Sequence, residues 1–130
     1  MISLEYKKSI NLALFLYFLI FSADTVIAEN DPMVSFDKEV FPILKEHCSS
    51  CHLPEGKGYE LSGLSLLNYQ SLMEGGNYGP ILIPKNPKGS ILSMVISGET
   101  EMGMPHKRKT LSTHQIKTIN SWIDQGAHNN

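Results

Sequence analysis

The sequence predicts an all-α protein, because its apolar residues recur at helical spacing and no stretch shows the alternation of a half-buried strand. Capping and turn residues mark the ends of the expected helices. The chain has 130 residues, of which 42% are hydrophobic, and a formal net charge of −2. This length allows one domain, and this charge excludes the strongly basic footprint of a nucleic-acid-binding protein.

The first 28 residues have the pattern of an export signal. Two lysines precede the apolar run 10–21, which is shorter than the roughly 20 residues that a membrane span needs. Small side chains at Val26 and Ala28 suit a cleavage site. We expect residues 1–28 to be removed, leaving a mature domain of residues 29–130 in the periplasm without a stable membrane span. Retention of the segment as an uncleaved anchor is the alternative.

The first part of the mature chain is expected to form one helix and a loop. Apolar spacing predicts a helix from Ser35 to about His47. Pro42 lacks a backbone donor, so we expect either a kink there or a helix that begins near Phe41. Residues 53–63 carry one proline and three glycines and are expected to form a loop.

Three further helices are predicted from their end signals. Residues 68–74 are long enough for two turns and stop at a glycine pair. The Asn86-Pro87 pair is a typical start for a helix that ends at Gly98. For the last helix, Ser112 and a glutamine three residues later form a capping box, and Gly126 is the expected terminating glycine.

The chemistry is concentrated in residues 48–52, with the sequence C-S-S-C-H. Two thiols at this spacing near a helix end can form thioether bonds with the two vinyl groups on one porphyrin edge. The histidine that follows can then bind the iron, as in c-type haem attachment. We therefore predict one covalent haem c, attached through Cys48 and Cys51, with His52 as the proximal iron ligand.

Two other kinds of site can contain a cysteine pair at this spacing. A thioredoxin-like redox pair belongs to a βαβ pattern, which the sequence does not show, although a periplasmic thiol–disulfide oxidoreductase stays an alternative. A zinc site needs about four nitrogen or sulfur donors, so histidines elsewhere in the chain would have to complete it.

The second axial ligand is expected in the irregular segment that follows residue 98. Thioether sulfur is a good candidate, because His/Met ligation raises the haem potential and suits electron transfer. Met104 is favoured, since Pro105 restricts the backbone before it and stiffens the loop. Met102 and His106 are the alternatives.

Several short motifs, in order along the mature chain, carry a resemblance to a known family: Phe41-Pro42-Ile43-Leu44, Cys48–His52, Gly63-Leu64-Ser65-Leu66, Asn86-Pro87, Met104-Pro105 and Trp122–Ala127. In these motifs the sequence resembles the planctomycete-type cytochrome c domain, which is similar in plan to class I c-type cytochromes. The resemblance implies a bundle of about three to five helices around a covalently attached haem. It also implies Cys48 and Cys51 as attachment sites, His52 as proximal ligand and Met104 as distal ligand.

Together these features predict an exported monohaem c-type cytochrome, and not an enzyme in itself. It would carry single electrons between a donor and an acceptor redox protein, with no nucleic acid as partner. The basic run Lys107-Arg108-Lys109 would suit the docking of an acidic partner. A haem-based sensor or small-ligand-binding domain is the main alternative.

Overall fold

The computed structural model describes residues 31–105 and 110–130, and residues 32–130 form one compact unit. The expected export segment, His106 and the basic run after it lie outside the described residues. Six short α-helices are present in the described part: α1 (Phe41–His47), α2 (Ser49–His52), α3 (Lys57–Ser62), α4 (Tyr69–Glu74), α5 (Ile91–Ser97) and α6 (Thr113–Asp124). These ranges contain no β-strand, and the predicted all-α class is confirmed. None of the helices described here has the length and apolar character to cross a membrane.

The first predicted helix is divided at the position that proline indicates. A π-helical turn, Phe36–Val40, begins after the cap Ser35, whose Oγ accepts from the main-chain N–H of Lys38. The α-helical part, α1, then begins one residue before Pro42. Proline has no N–H and is tolerated in the first turn of an α-helix, so the helix starts here without losing a hydrogen bond.

The core is built around a cluster of aromatic rings that packs the π-helical turn before α1 against α4 and α6. The ring of Phe36 lies 5.4 Å from that of Trp122 and 5.2 Å from that of Tyr69. Trp122, on α6, is fully buried. Its Nε1–H donates to the carbonyl of His128, and the Tyr69 hydroxyl donates to that of Ala127, both at 2.8 Å. Both polar tips are thereby satisfied inside the core.

The last helix, α6, matches its prediction closely. Ser112 Oγ accepts from the N–H of Gln115, and the Gln115 side chain accepts in return from the N–H of Ser112, so both bonds of the capping box are present. Gly126 has φ of +112°, a conformation that favours glycine after a helix end. Ile119 and Ile123 are fully buried and bring the apolar face of α6 into the core.

Residues 53–63 are not simply a loop, and the expectation there was wrong. Helix α3 occupies Lys57–Ser62 and ends at Gly63, which has a left-handed φ of +68°. Isolated glycines argue against a helix in sequence reasoning, because each destabilises a helix interior by roughly 1 kcal/mol relative to alanine. In the folded chain α3 packs against the turn that carries the cysteine motif, which offsets that cost.

The helix expected between Asn86 and Gly98 is interrupted at Ser90. Pro87–Gly89 forms one 3₁₀ turn, and α5 begins only after Ser90, whose backbone is extended. The buried Ser90 hydroxyl accepts from the N–H of Ile83 at 2.9 Å and donates to the carbonyl of Asn86 at 2.8 Å. These bonds tie the preceding extended segment to the start of α5. Gly98 ends the helix as expected, with φ of +74°.

Candidate functional site

The cysteine motif occupies one helical turn directly after α1. Cys48 lies between α1 and α2, and its N–H donates to the carbonyl of Leu44 at 2.9 Å. The N–H groups of Cys51 and His52 both donate to the carbonyl of Cys48, at 3.1 and 3.0 Å. The two thiols and the imidazole are half-buried, and the cysteines are not joined by a disulfide. The backbone therefore holds two thiols and one imidazole together on a single turn, as covalent haem attachment requires.

Burial sets the chemical character of the first thiol. Burial, together with the smaller effect of the neighbouring Cys51, raises the pKa of Cys48 to about 11. Thiols that act in disulfide exchange have a lowered pKa, because the thiolate is the attacking form. The environment of Cys48 works in the opposite direction, so it gives no support to a thiol–disulfide oxidoreductase.

Helix α3 closes against the motif through two glycines. A Cβ added at Gly58 would lie 2.8 Å from the carbonyl oxygen of Cys51 and 2.9 Å from Cε1 of His52. A Cβ at Gly56 would collide with the same carbonyl oxygen. The carbonyl of His52 also accepts from the N–H of Leu66 at 2.7 Å. The two glycines thus allow close packing against the motif backbone, and Gly58 also against the imidazole. Sequence reasoning took this Gly-x-Gly pattern for a loop.

His47 directly precedes the motif, and the sequence pattern gave it no role beyond the end of the first helix. Its side chain is buried. The Nε2 atom lies 3.1 Å from Nε2 of Gln115 on α6 and 3.8 Å from a carboxylate oxygen of Glu46. The end of α1 is therefore joined to the capping box of α6 by a polar contact.

The expected distal ligand lies on a separate segment, after α5. Met104 is half-buried, and its N–H donates to the carbonyl of Val95 at 3.0 Å. The Met104–Pro105 peptide bond is cis. Met102, the first alternative, is 65% exposed, and His106, the second, lies outside the described residues. Of the two methionines, only Met104 thus has a partly enclosed side chain.

The donor set of the described residues fits a haem. A six-coordinate haem iron takes two axial ligands, because the porphyrin supplies four nitrogens. One imidazole and one thioether satisfy this need, and two unbridged thiols are available for covalent attachment. Among residues 31–105 and 110–130, no group of three or more His, Cys, Asp or Glu side chains could hold a metal ion.

Residues 48–107 match the family model described as Planctomycete cytochrome C. The matched segment begins at Cys48 and contains His52 and Met104, and the predicted resemblance to this family is confirmed. Neither a curated protein nor a solved structure matches the chain.

Proposed function

We propose that this chain is an exported c-type cytochrome that holds one haem covalently and transfers single electrons between redox proteins. One observation carries the proposal. The C-x-x-C-H sequence forms a single helical turn with unbridged thiols, and that turn opens the segment that matches the cytochrome family. Electron transfer follows from the class of domain, since such proteins bind a redox group without substrate chemistry of their own.

Each candidate residue has one role. The thiols of Cys48 and Cys51 would hold the porphyrin through thioether bonds, since addition of a thiol to a vinyl group needs no oxidant. His52 and Met104 would hold the iron. When bound, the haem supplies reversible one-electron chemistry between ferrous and ferric iron. The chain itself would hold the two ligands in place through the backbone bonds of the motif turn and of Met104.

Met104 is supported as the distal ligand by its burial and by its tether. A thioether can stay on an iron only where its backbone is held, and the bond from Met104 to Val95 provides that constraint. The exposed side chain of Met102 has no comparable enclosure. Thioether ligation raises the potential relative to two imidazoles, which suits an electron carrier.

Export is part of the proposal. Residues 1–28 would direct the chain across the cytoplasmic membrane and be removed, leaving residues 29–130 as the working domain. Outside the cytoplasm a lost haem is not easily replaced, so a covalent link is useful there. The basic run Lys107-Arg108-Lys109 would attract an acidic redox partner, an effect that salt should weaken.

The proposal is tested by producing the full chain, with its own leader, in a host that attaches haem to exported proteins. Optical spectra of the periplasmic protein in both oxidation states should show one six-coordinate, low-spin haem per chain. Cys48→Ala and Cys51→Ala should each lower haem retention, whereas Ser49→Ala, between the two cysteines, should not. A five-coordinate, high-spin ferrous form would indicate a ligand-binding sensor instead. Colourless protein with both thiols unmodified would contradict the proposal.

A further inference from the structure

The side chain of His47 meets α6 in a contact whose proton arrangement can be worked out. His47 is 6% exposed and stands at the end of α1, directly before Cys48. Its Nε2 lies 3.1 Å from Nε2 of Gln115, a hydrogen-bond distance between two nitrogen atoms. One of the two must donate and the other must accept.

The capping box decides which one donates. The Gln115 Oε1 accepts from the main-chain N–H of Ser112 at 2.8 Å, and a main-chain N–H can only donate. The orientation of the amide is thereby fixed, and its NH₂ group faces His47. An NH₂ group also only donates, so the His47 Nε2 must be the acceptor. The imidazole is therefore neutral, with its proton on Nδ1.

Glu46 is the charged group that faces His47 from its own helix. Its carboxylate would favour a proton on Nε2, but it lies 3.8 Å away, beyond hydrogen-bond distance, and is largely exposed to solvent. From α6, the facing group is the uncharged Gln115 amide. The contact with Gln115 is shorter and lies inside the protein, so at Nε2 it outweighs the contact with Glu46.

We propose that His47 is a positioning residue for the haem-attachment turn, and that it acts in the neutral form with the proton on Nδ1. The bond to Gln115 fixes the residue before Cys48 against the first turn of α6. The two partners are 68 positions apart in the chain, so the bond links the cysteine motif to the C-terminal helix. This inference rests on the proposed function for its consequence, but its geometry stands on the chain alone.

The protonation state is measured directly by long-range ¹H–¹⁵N correlation spectra of the histidine rings in the reduced, diamagnetic protein. The wild type should show His47 with an unprotonated Nε2. Gln115→Glu keeps the capping box, because glutamate also accepts from the Ser112 N–H, but it turns an acceptor toward His47. In this variant the Nε2 of His47 should gain a proton. His114→Gln, on the exposed side of α6, should leave the His47 spectrum unchanged.

The positioning role is measured at the iron. His47→Leu should lower the proportion of ferric protein that shows the thioether-to-iron charge-transfer band. His47→Gln should restore it, because the side-chain oxygen of glutamine can accept the same bond from Gln115. A proton on Nε2 in the wild type, no change in Gln115→Glu, or equal behaviour of the leucine and glutamine variants would overturn the inference. If the protein carries no haem, the proposed function fails, while the ring spectra still decide the state of His47.

Discussion

The main-chain N–H of Met104 donates to the carbonyl of Val95 at 3.0 Å, which ties the segment after α5 back onto that helix. Val95 itself packs against the hydrophobic core. A candidate iron ligand is thus attached to the rigid part of the domain by its backbone, while its neighbour Met102 projects into solvent. This difference distinguishes the two methionines more clearly than their sequence contexts do.

Met104→Ala should fold, lose the thioether-to-iron charge-transfer band of the ferric protein, and lower the reduction potential, because the sulfur donor is gone. Met102→Ala is the matched control and should keep both the band and the potential. Optical spectra and a redox titration measure these effects. The opposite pattern in the two variants would assign the distal ligand to Met102.

Gly58→Ala should destabilise the domain and impair haem binding. The new methyl group would stand 2.8 Å from the carbonyl oxygen of Cys51 and 2.9 Å from the imidazole of His52, and a backbone carbonyl cannot move away easily. Gly103→Ala is the control, since its Cβ would meet only the Thr100 carbonyl at 3.9 Å. Thermal unfolding and haem content should separate the two variants. Equal stability of the two variants would show that α3 is not closely packed against the cysteine motif.

Chain produced without haem should become less stable as the pH rises from about 9 to about 11. Burial raises the pKa of the Cys48 thiol from 9.0 to about 11, so in this window the unfolded chain has lost a proton that the folded chain still holds. The free energy of unfolding then falls with rising pH, and the contribution is complete below pH 9.0. Denaturant titrations on either side of the window measure the effect.

The same measurement has two controls. A thioether sulfur carries no proton, so the haem-loaded protein should not show this fall in the free energy of unfolding between about pH 9 and pH 11. Cys48→Ser should also remove it from the chain without haem. If the fall persists in the serine variant, another group is responsible for it.

Ser112→Ala should lower the free energy of unfolding by about 1 kcal/mol, the usual cost of removing an N-cap side chain. It removes the acceptor for the Gln115 N–H at the start of α6, the longest helix in the described part of the chain. Ser112→Asp retains an acceptor and should stay close to wild type. Equilibrium denaturation gives the comparison, and an unchanged midpoint in the alanine variant would mean that the cap contributes nothing.

Features that depend on neighbouring residues were predictable from the sequence. The capping box at Ser112 and the terminating glycines at 98 and 126 appear where local rules place them. The helix break near Pro42 is equally local, because it follows from a missing backbone donor. Such rules act within a few residues and need no knowledge of the fold.

Features that depend on distant contacts were not predictable in the same way. Helix α3 contains Gly58 because the turn around Cys51 leaves no room there for a side chain. Ser90 interrupts a helix because its hydroxyl bonds to Ile83, on another segment. Trp122 is buried because Phe36, 86 positions earlier, packs against it. In the site, the cysteine motif could be recognised from the sequence alone. The contact between His47 and Gln115 could not, because it joins residues 68 positions apart.

Covalent haem at the cysteine turn is the central claim, and intact-mass spectrometry of the exported protein tests it most directly. The mass should equal that of the polypeptide beginning at residue 29 plus one haem. After digestion, the peptide that contains Cys48 and Cys51 should carry the haem mass and resist alkylation. Exported polypeptide of unmodified mass, with both thiols open to alkylation in a host that loads other c-type cytochromes, would contradict it.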